Sequence, residues 1–395
     1  MTPQGWQEKT LRDICVIGAG NSAPQDKDLF ENGIYPFFRT ADVGKIHFGK
    51  INSSEDLLNE KGIKGLKLFK KGTILIPKSG ASTFLNHRVK MEVDGFVVSH
   101  LATVKGRENV VNDDFLLYYL LTIKVQDLIQ DQNYPSVNLP IISNIKIMLP
   151  PLPEQERIVA KLDKAFEAID KVKANAEQNL TNTKELFESY LTSILVNKKD
   201  WEKKKLSEVA IDFGRGRSRH RPRNDKKLYG GKYPFIQTGD IRNCNHFITE
   251  YSQTYNEFGL AQSKLWPKGT LCITIAANIA ETGVLTFASC FPDSVIGCVF
   301  DNSKTNIDYV EYLLQSFKAV LQAEGKGSAQ DNINLGTFEG QYFPFPDKST
   351  QDKIVIKLDA MRKNIAELEQ IYTQKIKECD ELKQSILQKA FRGEL

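Results

Sequence analysis

The sequence predicts an α+β protein with two mixed α/β domains in tandem repeat, each followed by a long helix, the two helices pairing as a coiled coil. Three observations lead to this fold class. The chain repeats itself at an offset near 196 residues, each copy ends in a helix-like stretch of about 42 residues, and the remainder mixes β-type runs with one helix. We therefore place globular domains at residues 1–149 and 200–345, and long helices at residues 150–199 and 346–395.

The internal repeat rests on six collinear matches between the two halves. The clearest pairs "PPLPEQERIVAKLD" (150–163) with "PDKSTQDKIVIKLD" (346–359) at an offset of 196. Upstream, "YPFFRTAD" (35–42) pairs with "YPFIQTGD" (233–240) at an offset of 198. The offset varies by a few residues in the first part of each copy and is constant at 196 in the last part. Each copy therefore consists of a variable globular part and an element of fixed length. A gene duplication without functional consequence is the alternative.

Each element of fixed length has the pattern of a long helix. No proline or glycine occurs between Glu154 and Leu195, and apolar residues recur at three- and four-residue spacing in both copies. At 1.5 Å per residue, about 42 residues make a rod of roughly 63 Å. Such a rod cannot bury a narrow apolar stripe on itself, so a coiled coil is favoured over two separate surface helices. The predicted coiled-coil positions are Val159, Leu162, Phe166, Ile169, Leu358, Ile365, Leu382 and Ile386.

Each globular part has the pattern of mixed α and β structure. The runs "GTILIP", "FVVSHLATV" and "TLCITI" are typical of short strands, and they stand among turn sequences such as "ENG" and "YGG". One longer stretch per copy predicts a helix, at residues 113–129 and at residues 307–322. Both have an acidic side chain at the start, which helix N-termini prefer.

Composition favours a protein of the reducing cytoplasm. None of the six cysteines forms a CxxC pair and no histidines flank them at zinc-site spacing, so we expect buried free thiols and no metal site. No apolar run approaches the roughly 18 residues of a membrane span, and the start carries no secretory-signal pattern. We therefore expect a cytoplasmic protein with no membrane partner.

A glycine motif near the start is the nearest approach to a cofactor site. The stretch "ICVIGAGNSAP" (14–24) contains G-x-G-x-x-A after an apolar run, as dinucleotide-binding loops do. No helix pattern follows it, and the second copy has "GRGRSR" there, so we expect a glycine turn between strands and no cofactor. Walker, nucleophile-elbow and methyltransferase-type Asn-Pro-Pro-aromatic motifs are absent, and no pattern indicates a catalytic constellation.

The paired segments "YPFFRTAD" and "YPFIQTGD" are the most similar parts of the two globular domains. Their pattern predicts a core strand that ends in an aspartate-stabilised turn. A polar edge that faces a ligand is the alternative, and there the copies differ, with Arg39 standing where Gln237 stands. In a DNA major groove, arginine pairs with guanine edges and glutamine with adenine edges, so base reading is a further hypothesis.

The second copy carries a basic segment, "GRGRSRHRPRNDKK" (214–227), whose arginines have no counterpart in the first copy. Seven basic residues and one acid give it a charge of +6, whereas residues 1–196 hold 24 of each sign and sum to zero. In an extended chain the two-residue period points its five arginines to one side, where guanidinium groups suit a run of phosphates. A solvated loop and a targeting tag are the alternatives.

The duplicated unit of globular domain, proline-rich lead-in and long helix resembles the specificity (S) subunits of type I restriction-modification enzymes, the HsdS family. The resemblance covers the whole chain and is carried by residues 149–170, 332–346 and 377–395, together with the two "YPF…T.D" segments. One departure is the second lead-in, "PFPDKSTQDKIV", where the first copy has "PPLPEQERIV".

The resemblance implies that each globular part is a target-recognition domain for one half of a bipartite double-stranded DNA sequence. The two helices would form an antiparallel coiled coil that fixes the half-site spacing and docks modification (M) subunits. S-adenosylmethionine would be bound by those M subunits, restriction (R) subunits would join through the M–S complex, and this chain would have no catalytic residues. A coiled-coil scaffold and a DNA-processing enzyme with intrinsic nuclease or methyltransferase activity are the alternatives.

Candidate DNA-binding residues are the polar and basic side chains of the matched segments, the strand ends and the arginine segment. They are Arg39, Thr40, Lys45, Lys78, Ser79, Arg88, Arg215, Arg217, Arg219, Arg221, Arg223, Lys226, Lys227, Gln237, Thr238 and Arg242.

Overall fold

The structure is a computed structural model of the 395-residue chain. It describes residues 4–79, 81–129, 136–196, 198, 200–276, 280–326, 336 and 340–395. The chain divides into two compact units. The first unit consists of Met1–Ala176 with Gln374–Leu395, and the second unit is Glu177–Thr373. Each unit thus combines one globular part with one portion of each long helix.

The globular part of the first unit contains ten strands and four short helices among its described residues. The strands are β1 (Gln7–Thr10), β2 (Cys15–Ala19), β3 (Tyr35–Phe38), β4 (Phe48–Ile51), β5 (Asp56–Leu58), β6 (Ile74–Pro77), β7 (Arg88–Met91), β8 (Phe96–Val97), β9 (Leu101–Gly106) and β10 (Lys146–Leu149). The helices are α1 (Leu11–Ile14), α2 (Thr40–Ile46), α3 (Asp113–Leu121) and α4 (Leu139–Ser143). The first long helix, α5 (Leu152–Leu195), follows.

The globular part of the second unit follows the same plan. Its strands are β11 (Glu202–Lys204), β12 (Ala210–Arg215), β13 (Tyr229–Phe235), β14 (Phe247–Ile248), β15 (Gln253–Tyr255), β16 (Leu271–Thr274), β17 (Thr282–Leu285), β18 (Val295–Phe300) and β19 (Phe343–Phe345). Its helices are α6 (Leu206–Val209), α7 (Thr238–Asn243), α8 (Glu257–Ala261) and α9 (Ile307–Lys326), and the second long helix is α10 (Lys348–Phe391).

Sheet order confirms the internal repeat. The first unit has a five-stranded sheet in the order β2-β9-β6-β7-β4, and the second has the order β12-β18-β16-β17-β14. In both sheets the last pair is parallel and the other pairs are antiparallel. The central strands β6 and β16 are buried along their whole length, as expected for apolar runs covered on both faces. A small antiparallel pair, β3–β5 or β13–β15, accompanies each sheet.

The two predicted helices of the globular parts form where the sequence places them. Helix α9 begins at the predicted residue 307, whereas α3 ends at Leu121 and not at residue 129. The β-branched residues Thr122, Ile123 and Val125 come directly after that end, and such residues lower helix propensity.

The glycine motif at residues 14–24 does not open a helix. Strand β2 carries its first part, and Gly20 then passes the backbone of Val98 so closely that a Cβ there would lie 2.2 Å from the Val98 carbonyl oxygen. No turn forms there, because the chain continues extended to an isolated bridge between Asn21 and Val98, and close backbone approach explains why glycine stands at residue 20.

The long helices pair within each unit, and the pairing is antiparallel as the resemblance implied. In the first unit Lys173 Nζ lies 2.7 Å from Asp380 Oδ1, and Lys383 forms an ion pair with Asp170. Later residues of α5 therefore meet earlier residues of α10. The apolar contacts of this portion include Leu162 packed with other buried residues of the first unit's core.

In the second unit the end of α5 packs against the start of α10. Leu191 and Leu195 share an apolar core with Ile354 and Leu358. The guanidinium of Arg362 lies 5.8 Å from the ring centre of Phe187. The predicted coiled-coil residues Leu162, Phe166, Ile169, Leu358 and Ile365 are all buried.

One coiled-coil prediction is wrong. Leu382 is 49% exposed, whereas Cys379 and Leu387 are buried. The buried line of α10 runs in steps of four through residues 379, 383 and 387, and Leu382 lies one position off it. Lys383 occupies the middle of that line, with Nζ 5.1 Å from the ring centre of Phe166. In α5, Val159 is half-buried and its neighbour Ile158 takes the core position.

None of the described helices is both long and apolar enough to cross a membrane.

Candidate nucleic-acid interface

Each "YPF" strand ends in a turn capped by an aspartate, as predicted. The Arg39 N–H donates to Asp42 Oδ2 at 2.7 Å in the first unit. The Gln237 N–H donates to Asp240 Oδ2, also at 2.7 Å, in the second unit. Phe37 lies in the apolar core ahead of this turn. The two units therefore present the residue at this position, Arg39 or Gln237, from the same backbone frame.

The side chain at that position is held by a partner on the neighbouring strand in both units. Arg39 Nε forms an ion pair with Asp56 at the start of β5, and its guanidinium lies over the rings of Phe30 and Phe37 at 5.8 and 5.2 Å. Gln237 Nε2 donates to Gln253 Oε1 at the start of β15, at 3.0 Å. Thr40 and Thr238, the first residues of α2 and α7, are half-buried.

The arginine segment begins as the predicted extended chain. Strand β12 pairs with β18 as far as Arg215, and the Gly216 N–H then donates to the Val295 carbonyl at 2.8 Å. Gly216 and Ser218 are buried, whereas Arg215, Arg217 and Arg219 are exposed. The two-residue alternation is therefore confirmed over residues 215–219.

Beyond residue 219 the alternation is wrong, because the chain turns. His220 Nε2 lies 2.9 Å from Asp225 Oδ2, and this contact closes the turn. Arg221 donates to the His220 carbonyl at 2.9 Å, so its guanidinium serves the loop itself. Arg223 forms an ion pair with Asp293 at 2.7 Å.

Asp293 also holds the start of the segment. Arg215 Nε donates to the Asp293 carbonyl at 2.6 Å, and Arg223 Nη2 contacts both carboxylate oxygens at 2.7 and 2.8 Å. Within the described chain, the side chains of Arg217, Arg219, Lys226 and Lys227 make no hydrogen bond or ion pair. These four exposed cations, here called the free basic group, remain open to an anionic ligand.

Two of the candidate basic residues of the first unit form ion pairs with carboxylates. Lys45 pairs with Glu55, and Arg39 pairs with Asp56. Ser79 Oγ lies 2.9 Å from His100 Nδ1, and the adjacent Lys78 is half-buried.

Arg88 is a correction to the predicted set. It is 2% exposed, and its Nη1 donates to the His87 carbonyl at 2.7 Å while Nη2 donates to Asn86 Oδ1 at 3.1 Å. Burial lowers the pKa of the guanidinium to about 10. Strand β7 is buried along its length, so Arg88 faces protein and cannot reach a phosphate at the surface. Arg242 is exposed in the last turn of α7.

Two glutamines that the sequence reasoning missed join each globular part to its long helix. Gln155 Oε1 accepts from the Asn112 N–H at 2.8 Å, and its Nε2 donates to the Pro150 carbonyl at 2.8 Å. Gln351 makes the same contacts in the second unit, with the Asn306 N–H and the Pro346 carbonyl, both at 2.9 Å. The altered lead-in of the second copy therefore keeps its structural link.

A tyrosine–aspartate contact repeats beside each glutamine. Tyr118 donates to Asp163 at 2.5 Å, and Tyr312 donates to Asp359 at 2.7 Å. Burial and the hydrogen bond to the carboxylate raise the pKa of both hydroxyls. The internal repeat could have identified these contact residues in the sequence, because the aspartates and glutamines recur at an offset of 196 and the tyrosines at 194.

A buried charge cluster lies around His246 in the second unit. His246 Nε2 lies 3.1 Å from Asp308 Oδ1, and Nδ1 lies 3.2 Å from Oε2 of Glu311, which is 0% exposed. Arg362 Nη2 approaches the same Glu311 oxygen at 3.8 Å. Desolvation lowers the pKa of His246, but its contacts with Asp308 and Glu311 outweigh that effect and raise the pKa to about 9.

Comparison with known proteins finds specificity subunits of type I restriction enzymes among the relatives. The family model described as type I restriction modification DNA specificity domain matches the chain twice, over residues 3–182 and 198–378. The specificity subunit of the type I restriction enzyme MjaIX from Methanocaldococcus jannaschii is 30% identical over 174 residues, which is 42% of this chain and 39% of that protein. The putative MjaX specificity subunit of the same organism is 24% identical over 418 residues, covering 100% of this chain and 94% of that protein.

Solved structures show the same fold. A chain from work on complex assembly and conformational transition of the type I R-M system superposes with a TM-score of 0.80 at 20% identity, covering 100% of both chains. The HsdS subunit of Thermoanaerobacter tengcongensis gives a TM-score of 0.60 at 20% identity, covering 100% of this chain and 98% of that one.

Proposed function

Because the chain belongs to the type I restriction-modification DNA specificity family, we propose that it is the specificity subunit of such a system. Residues 1–149 and 200–345 would each bind one half of a bipartite double-stranded DNA target. The observation that carries this proposal is the pair of matched frames, in which the same capped turn presents Arg39 in one unit and Gln237 in the other. A repeated scaffold that presents different polar side chains suits two half-sites of different sequence.

The free basic group supplies phosphate contacts to the second half-site. Its side chains are exposed and make no hydrogen bond or ion pair within the described chain, so they can replace counterions on a DNA backbone. Arg215 and Arg223 hold the segment through Asp293.

Partner proteins supply the chemistry in this proposal. Helices α5 and α10, with the adjoining domains, dock M subunits, which bind S-adenosylmethionine, and R subunits join through that complex. The chain itself recognises the DNA target. It acts in the cytoplasm, where the DNA and these partners lie.

The direct test maps methylated adenines by long-read sequencing in cells with and without this chain. We expect one bipartite motif to lose methylation when the chain is absent. The purified chain is assayed in parallel for nuclease and methyl-transfer activity. Intrinsic activity would favour a DNA-processing enzyme, and absence of sequence-selective binding even with M subunits would favour a scaffold.

The long helices fix the gap between half-sites. Removing one turn from both, residues 178–181 of α5 with residues 370–373 of α10, keeps the number of residues in the two partners matched. Four residues span about 6 Å and DNA rises about 3.4 Å per base pair, so the mapped gap should shorten by one or two base pairs. Alanines at the same eight positions keep the helix length and should leave the gap unchanged. An unchanged gap after the deletion contradicts the spacing role.

A further inference from the structure

We propose that Arg39 with Asp56, and Gln237 with Gln253, are the specificity-determining pairs of the two domains. Arg39 selects a guanine and Gln237 an adenine, at corresponding positions of the two half-sites. The inference rests on the proposed function and names the side chains that read one base in each half.

The backbone frame of the two pairs is the same. In each unit the reading residue precedes the first turn of a short helix and its N–H is held by an aspartate three residues later. In each unit the partner begins the neighbouring antiparallel strand, with Asp56 paired to Phe37 and Gln253 paired to Phe235. The backbone frame is therefore shared, and at this frame the units differ in the chemistry of the two side-chain pairs.

The first pair leaves Arg39 with the donors that guanine needs. Asp56 takes Nε, and the guanidinium lies 5.8 and 5.2 Å from the ring centres of Phe30 and Phe37. Within the described chain the two terminal nitrogens have no partner, and the Arg39 side chain is 38% exposed. Two parallel N–H donors at the end of a fixed plane match the O6 and N7 acceptors of guanine. Asp56 is the positioning residue that fixes this plane.

The second pair leaves Gln237 with one donor and one acceptor. Gln253 accepts one of the two Nε2 hydrogens, so the other hydrogen and the Oε1 atom stay open. An adjacent N–H and carbonyl oxygen match the N7 acceptor and the N6 amino group of adenine. Gln253 therefore has the role in the second unit that Asp56 has in the first.

Phosphate contacts are available near the second pair. Helix α8 packs against β13 and β15, the strands that carry the Gln237–Gln253 frame. Just after α8, Gln262 accepts from the His220 N–H at 3.0 Å and Ser263 donates to the Arg217 carbonyl at 2.8 Å. The arginine segment is thereby tied to the same small sheet, so backbone contacts and base reading fall in one region of the second unit.

The test exchanges the chemistry of the two frames. The double variant Arg39→Gln with Asp56→Gln copies the second frame into the first, and Gln237→Arg with Gln253→Asp copies the first into the second. Each is expressed with the M subunit, and its methylation motif is mapped. We expect one guanine to become adenine in one half-site for the first variant, one adenine to become guanine in the other half-site for the second, and no change elsewhere.

A single substitution gives a quantitative measure. Arg39→Lys keeps the charge but loses the planar fork, so preference for guanine over adenine in methyl transfer on matched duplexes should fall roughly 10- to 100-fold. Asp56→Asn should reduce the same preference, and Asp56→Glu should restore part of it. A purely structural role would lower methylation of both duplexes alike, and that result overturns the proposal.

The outcomes separate this inference from the function on which it rests. Methylation by both exchange variants at an unchanged motif overturns the inference and leaves the specificity subunit intact. Absence of any methylation that depends on the wild-type chain contradicts the proposed function itself. If one exchange variant does not fold, as judged by thermal unfolding, the other lies in a separate unit and decides the matter alone.

Discussion

The two units share a scaffold but balance their surface charge differently. In the first unit Arg39 and Lys45 are paired with carboxylates, whereas in the second Arg217 and Arg219 lie exposed without an acidic partner in the described chain. The polar contacts that repeat include those that hold domain to helix, through Gln155 and Gln351, and the aspartate caps of the two turns. Polar residues that occur in both copies therefore maintain the fold, while residues found in one copy alone supply the surface by which that copy differs.

The largest expected effect tests the shared contacts. Gln155→Ala and Gln351→Ala should each lower the free energy of unfolding of their own unit by about 3 kcal/mol, because each leaves a backbone N–H and a carbonyl without a partner. Urea unfolding followed by hydrogen exchange locates the loss. Gln178→Ala, at an exposed position of α5, is the matched control and should change stability by less than about 0.5 kcal/mol. If Gln155→Ala destabilises its unit and Gln351→Ala does not, the Gln351 contacts do not stabilise the connection between domain and helix in the second unit.

The next effect is a difference in pH response. The folded pKa of His246, about 9, stands above its ordinary value near 6.5, so its contact with Asp308 and Glu311 stabilises the second unit fully below about pH 6.5. Between pH 6.5 and 9 the second unit should lose about 2 kcal/mol of unfolding free energy. His246→Gln should abolish that slope, which urea titrations at a series of pH values would measure.

The first unit should respond with the opposite sign. Burial, followed by the neighbouring His47 and Arg88, lowers the pKa of His87. Neutral His87 is then favoured in the folded state, so its contribution is present above about pH 6.5 and is lost as the pH falls. Hydrogen exchange at pH 5.5 and 7.5, compared between wild type and His87→Gln, would show the difference. A slope of the same sign in both units contradicts this contrast.

The smallest effect concerns the free basic group. Arg217→Ala with Arg219→Ala should weaken binding to all duplex sequences alike and reduce the salt slope by about two, one for each lost phosphate contact. Lys363→Ala with Lys375→Ala removes the same charge from exposed positions of α10 and should leave the slope unchanged. Equal slopes for wild type and the arginine variant would identify these arginines as solvated surface residues.

Much of the fold was predictable because it depends on periodicity. The repeat, the long helices and the buried strands follow from spacing that the sequence displays directly. Leu382 was mispredicted because the charged residue Lys383 takes the core position beside it. Lys383 forms an ion pair with Asp170 and also contacts the ring of Phe166. Spacing of apolar residues cannot anticipate that exchange.

The site was predictable only in part because its geometry depends on distant residues. The turn frame of Arg39 and Gln237 follows from an aspartate three residues away. The arginine segment, in contrast, is shaped by Asp293, about 70 residues further along the chain. The burial of Arg88 depends on the position of β7 within its sheet, which local sequence does not encode.

The division of α10 between the units has a consequence for biosynthesis. Phe115 in the first unit packs edge-on against Phe391, at 5.1 Å between ring centres, and Arg157 donates to the carbonyl of Leu395. A ribosome delivers those partners only after the whole second unit has been made. The second unit, which ends at Thr373, can finish folding earlier, so the part of the protein that is made first is the last to be completed.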